Sequence, residues 1–147
     1  MKEDTLVKKS LLRIRQNTPK PVCREVPILG RSADLAYVDQ DVLFSVEFKL
    51  HDWRKAIQQA RDHRLAADYS YICMPKRNVS EALSIELNKH GVGLFFYKDS
   101  GDWPFEVIIE ARRSFEVSKV ARSWVLTFIS EKQGRQRCQS LIQSANI

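Results

Sequence analysis

Three residues of this 147-residue chain are spaced so that chemistry is open to them: Asp34, Glu47 and Lys49. Glu47 and Lys49 lie two positions apart in SVEFKL (45–50), which reads as part of a strand. In a strand, residues i and i+2 project from one face, about 7 Å apart, so a carboxylate and an ammonium stand side by side. The reverse face, Phe44, Val46, Phe48 and Leu50, is wholly apolar. Upstream, SADLAYV (32–38) is a second strand, separated from VLFSVEFKL (42–50) by DQD, which suggests a hairpin. With Gln40 and Asp41 as a two-residue tip, residue 39 pairs with 42 and Asp34 falls directly across from Glu47, side chains about 5 Å apart. Two opposed carboxylates repel and destabilise a plain sheet, and a divalent cation between them reverses the sign of that term. Mg²⁺ takes oxygen ligands, commonly one or two carboxylates with water and substrate phosphate completing the set. Lys49 could orient or deprotonate a water, or neutralise charge developing on a phosphate oxygen. The set suits metal-assisted phosphodiester hydrolysis. The plainer alternative is a same-face ion pair of Glu47 with Lys49, and a surface acid near a turn at Asp34.

Such a site needs a scaffold. Residues 3 to 17 read as a helix ended by Pro19 and Pro21, and VCREVPI (22–28) as a short strand. After the hairpin, Asp52 is a plausible N-cap for a helix over 53–67, with Trp53, Ala56, Ile57, Ala60 and Ala67 on one stripe. YSYICM (69–74) is a strand stopped by Pro75, and VSEALSIELNKH (79–90) a helix ended by Gly91. VGLFFY (92–97) and FEVIIEA (105–111) are the last two strands. From Val42 the order is β, α, β, α, β, which argues for an α/β fold: a central sheet of mixed direction flanked by helices. Val120, Trp124 and Phe128 recur every four residues, with Leu126 and Ile129 nearby, and read as a C-terminal helix; Gly134 predicts a break before a second helix over 135–145. The chain reads as one domain, with a core over about 22–111 and a helical extension over about 112–147.

The Asp34, Glu47-Phe48-Lys49 pattern, set in strand–hairpin–strand–helix–strand, resembles the PD-(D/E)xK nuclease superfamily over roughly residues 22 to 97. The Pro that usually precedes the Asp is absent, since Ala33 stands there. The resemblance implies a restriction-endonuclease-like fold, with Mg²⁺ (or Mn²⁺) held by Asp34, Glu47 and the Phe48 carbonyl, and Lys49 assisting the attacking water. Many members add a glutamine on the following helix; Gln58 and Gln59 are available, and Gln59 shares a helical face with His63. Some members place an acid upstream, which Glu25 could match. The implied function is an endonuclease acting on DNA in repair, recombination or restriction. The alternative is a catalytically inactive nucleic-acid-binding module of the same fold. A helical protein-interaction module would leave the opposed acids unexplained.

Charge points the same way. The net charge is +6, and residues 111–147 alone carry seven Lys/Arg against two Asp/Glu. A localised basic segment suggests a polyanionic partner, with Arg112, Arg113, Arg135 and Arg137 as expected DNA contacts. Trp103, in a Gly/Pro turn, is a further candidate contact. Duplex cutting by one site per chain would favour a homodimer. No apolar run approaches the ~20 residues that span a bilayer, so no membrane partner is expected. The first sixteen residues lack the apolar core of a signal peptide. The three cysteines (Cys23, Cys73, Cys138) form no CxxC, so a reducing cytoplasm is the expected location.

Overall fold

β2 (Arg31–Asp39) and β3 (Val42–Phe48) form the expected hairpin, antiparallel, with Asp39 opposite Val42 and Leu35 opposite Val46. Gln40 and Asp41 at its tip both take positive φ, 49° and 65°. That is the backbone a tight two-residue connection needs to match the twist of the strands. The structure, a computed structural model, describes the backbone of residues 1–145 and the side chains of residues 1–134.

Four further strands and four helices complete the described chain. β1 (Val22–Ile28) flanks β2 antiparallel, while β4 (Tyr69–Met74) and β5 (Gly93–Tyr97) run parallel to β3. β6 (Phe105–Ile109) closes the sheet antiparallel to β5, giving the order β1-β2-β3-β4-β5-β6. Parallel neighbours need crossovers, which α2 (Trp53–His63) and α3 (Glu81–His90) supply. Asp52 caps α2 by accepting from the Arg54 N–H at 3.3 Å, and Ser80 caps α3 by accepting from the Leu83 N–H at 3.1 Å. The stripe expected to extend α2 to Ala67 instead enters a tight turn after His63. The His63 carbonyl accepts from both the Ala66 and Ala67 N–H groups there, and both alanines are buried.

The sheet is covered on both faces. α1 (Glu3–Asn17) lays Leu6, Val7, Leu11 and Ile14 against Val46, Phe48, Tyr71 and Phe95. α2 and α3 pack Trp53, Ile57, Leu83 and Leu87 against Ile72 and Leu94 of the opposite face. Cys23 and Cys73 are buried, and burial pushes both thiols above the ordinary range. Trp103 belongs to the α1-side core, edge-on to Tyr37 and Phe105 at 5.1 and 5.6 Å. Among the described residues, no helix is long and apolar enough to cross a membrane.

The C-terminal segment differs from expectation twice. It is one helix, α4 (Lys119–Ala145), which runs through Gly134. Among its described side chains, Val125 and Ile129 are buried, with Ala121, Leu126 and Phe128 beside them, whereas Val120 and Trp124 are exposed. The rotation follows from an anchor that periodicity cannot show. Arg122 reaches Asp68, Nε and an Nη each within 3.1 Å of Oδ2, and donates to the Asp41 carbonyl at 2.7 Å. Asp68 is 5% exposed and also accepts the Leu43 N–H at 2.8 Å. Breaking a buried ion pair by removing one partner leaves an uncompensated charge. Arg122→Ala is therefore expected to cost about 3 kcal/mol, measured by urea unfolding. A loss under about 1 kcal/mol would mean the pair behaves as an exposed one.

Candidate active site

Where the hairpin opens, Asp34 and Glu47 grip each other's strands. The Asp34 N–H donates to Glu47 Oε1 at 3.2 Å, and the Phe48 N–H donates to Asp34 Oδ2 at 2.8 Å. The register that sets Leu35 against Val46 brings the next pair outward face to face. Glu47 is 4% exposed and Asp34 half-buried. Burial, and then the neighbouring Asp34 charge, push the Glu47 carboxyl up to about 8. Burial raises Asp34 as well. Both carboxyls therefore hold a proton more tightly than an ordinary carboxylate, Glu47 above all. This is the signature of two acids with too little positive charge around them.

Phe48 and Lys49 finish the end of β3. In an antiparallel pair a residue turns its N–H and C=O to the same side, so Phe48, donating toward Asp34, has its carbonyl on the β2 side. Lys49 continues onto β4, its N–H donating to the Cys73 carbonyl at 3.0 Å. The Lys49 ammonium lowers the proton affinity of both Asp34 and Glu47, though as the smallest influence on each. Asp34, Glu47, Phe48 and Lys49 thus share the open end of the hairpin.

Two neighbours were not legible as partners. Glu3, the first residue of α1, accepts the Leu50 N–H at 3.1 Å, lies 3.9 Å from the Lys49 ammonium, and its charge raises Asp34. Nothing in its spacing announces this, because α1 reaches the site only by crossing the sheet. His63 is 2% exposed, with Nδ1 3.7 Å from Glu47 Oε1 and without a hydrogen-bond partner among the described residues. Burial depresses its imidazole to about 4, so it is neutral at pH 7. It forms a close, uncharged wall beside Glu47.

The other candidates make no hydrogen bond to the carboxylate pair among the described residues. Gln59, one turn before His63, is half-buried and makes no hydrogen bond to Asp34 or Glu47 among the described residues. Glu25 stands on β1 in the register position facing Asp34, but its φ of 52° interrupts the pairing. Its side chain is 73% exposed and meets Arg24 instead, at 3.3 Å. Arg112 and Arg113 follow the end of β6. The chain then turns back beneath the strand starts: the Arg112 N–H donates to the Gly91 carbonyl at 3.1 Å, and Arg113 lines a cavity with Val42 and Tyr69, five residues or about 16 Å along β3 from Glu47. The side chains of Arg135 and Arg137 lie outside the described residues.

No group of three or more His, Cys, Asp or Glu side chains converges to hold a metal among the described residues. The donor set is two carboxylates and one carbonyl, all oxygen, with excess negative charge. That fits a hard cation such as Mg²⁺, which binds few protein ligands. Compared with models of protein families, with curated proteins and with solved structures, the chain matches none.

Proposed function

We propose that this chain is a Mg²⁺- or Mn²⁺-dependent nuclease that hydrolyses phosphodiester bonds of DNA. The reading includes the restriction-endonuclease-like fold that the Asp34, Glu47-Phe48-Lys49 pattern resembles. An antiparallel hairpin leading into two parallel crossovers through α2 and α3 is compatible with such a fold. The observation that carries the proposal is the facing pair: Glu47 and Asp34 held together, one nearly buried, both with raised proton affinity. A structural ion pair would lower a carboxyl, and this site raises two.

Asp34, Glu47 and the Phe48 carbonyl would hold the cation, which when bound supplies positive charge against the phosphate. The Asp34 and Phe48 N–H groups fix the two carboxylates, so that little rearrangement is needed on binding. Lys49 is 28% exposed. Its ammonium can reach the substrate to orient the attacking water or offset charge on the leaving oxygen.

Incubation with supercoiled, linear and branched DNA tests the reading. Cleavage is expected in Mg²⁺ or Mn²⁺. Ca²⁺, with longer and less regular bonds, is expected to tighten DNA binding without supporting cleavage. DNA affinity indifferent to all three ions, with every substrate intact, would replace the nuclease by a binding module of the same fold.

A further inference from the structure

We propose that an open groove of about 700 Å³ beside Lys49, lined by Leu50, His51, Lys76, Arg77 and Asn78, binds the phosphodiester backbone of duplex DNA. The inference rests on the nuclease reading for its substrate and names where that substrate lies.

Topology builds the groove. β3 and β4 are parallel neighbours, with Phe48 beside Cys73, so the segments leaving them, Lys49–Asp52 and Pro75–Ser80, emerge together. Ligands of open α/β sheets bind outside the carboxyl ends of such strands. The two segments are tied by Arg77, whose Nη donates to the His51 carbonyl at 3.5 Å. Leu50, at the edge of the groove, follows Lys49 directly, so a strand lying there passes the carboxylate pair.

The chemistry of the lining selects the ligand. It holds one lysine, one arginine, one histidine and an amide, and no carboxylate. Lys76, Arg77 and Asn78 are all exposed. Among the described residues, neither Lys76 nor Arg77 has a carboxylate partner, nor has Arg54 in the first turn of α2, which lies over the Trp53 ring at 4.3 Å. By contrast, the cavity at Arg61, Arg64 and Lys89 includes Asp62 and Glu116. The ends of α2 and α3 are capped by Asp52 and Ser80, so the side chains supply the attraction. Unpaired, exposed cations along an open groove suit a repeating anion, and a mixed amide and guanidinium surface suits phosphate oxygens.

The test compares Lys76→Ala/Arg77→Ala with Arg112→Ala/Arg113→Ala, both in the full chain, by titrating a fluorescent DNA duplex in Ca²⁺ at several salt concentrations. Equal melting temperatures establish that both variants are folded. The Lys76/Arg77 variant is expected to lower the log–log salt slope by about 1.8, or 0.9 for each lost phosphate contact. Its affinity should fall equally on every duplex sequence, and the Arg112/Arg113 variant should keep the wild-type slope. Wild-type slope and affinity in the Lys76/Arg77 variant would overturn the groove, as would equal losses in both variants or no binding by the wild type. Cleavage in Mg²⁺ separates the two readings. A wild type that binds through Lys76 and Arg77 yet cuts nothing removes the nuclease and keeps the groove. A Lys76/Arg77 variant that binds and cuts like wild type removes the groove alone.

Discussion

Asp34→Ala and Glu47→Gln are each expected to lower DNA cleavage by more than about a hundredfold, since even residues behind metal ligands cost ten- to a hundredfold. The same Gln replacement should make the protein more stable. Glu47 is 4% exposed, and burial with the Asp34 charge pushes it up to about 8 from 4.5. At pH 7 the folded chain therefore binds a proton that the unfolded chain has released, at a cost of about 3 kcal/mol. Gln keeps the shape and removes that cost, so a gain of about 2 kcal/mol in urea unfolding is expected. Loss of activity with a gain of stability marks a functional site; loss of both would mark a structural pair. Lys49 refines the assignment. Lys49→Ala should slow turnover while leaving metal affinity unchanged, because an ammonium donates no lone pair. Lys49→Arg should restore little if the amine must give up a proton, since a guanidinium does not. Normal cutting by the Asp34 or Glu47 variant would remove the metal site.

The parts of this site that were legible in the sequence are those set by local rules. Alternation assigns Glu47 and Lys49 to one face, and the two-residue tip at Gln40 and Asp41 fixes the register that puts Asp34 across from Glu47. Caps and breakers place α1, α2 and α3 to within a few residues, because Pro19, Asp52 and Gly91 act on their immediate neighbours. What was not legible depends on contacts between distant segments. Glu3 meets Lys49 only after α1 has packed across the sheet. Glu25 has the right register position but a left-handed backbone that turns it away. α4 presents Val125 and Ile129 rather than Val120 and Trp124, since the Asp68–Arg122 pair fixes its rotation. His63 shares the face of Gln59 in sequence, yet only the structure shows that His63 lies against Glu47. Likewise Lys76 and Arg77 look like loop residues until the parallel pairing of β3 and β4 sets them beside the Lys49 segment.

Metal binding is expected to depend steeply on pH, in a direction fixed by two buried groups. Glu47 is raised on folding, so its contribution to stability is complete below about 4.5 and is lost as pH rises toward about 8. His63 is lowered, from 6.5 to about 4, so its contribution is complete above 6.5 and is lost as pH falls. Below pH 6.5 the two oppose each other; between pH 6.5 and 8 His63 no longer contributes, and Glu47, with the Asp34 charge beside it, sets the slope. Across that window the metal-free protein should lose about 2 kcal/mol of stability. Mg²⁺ competes with the Glu47 proton, because only the carboxylate is a ligand. Its affinity should therefore rise by up to about tenfold per pH unit there, with release of close to one proton. Melting temperatures read this without any reliance on catalysis, since a ligand of the folded state stabilises it in proportion to the logarithm of its saturation. The increment produced by a fixed Mg²⁺ concentration should be small at pH 6.5 and large at pH 8, and Glu47→Gln should abolish the difference. An increment equal at both pH values in the wild type, or retained in the Gln variant, would mean that the cation binds elsewhere and that the two acids face each other for another reason.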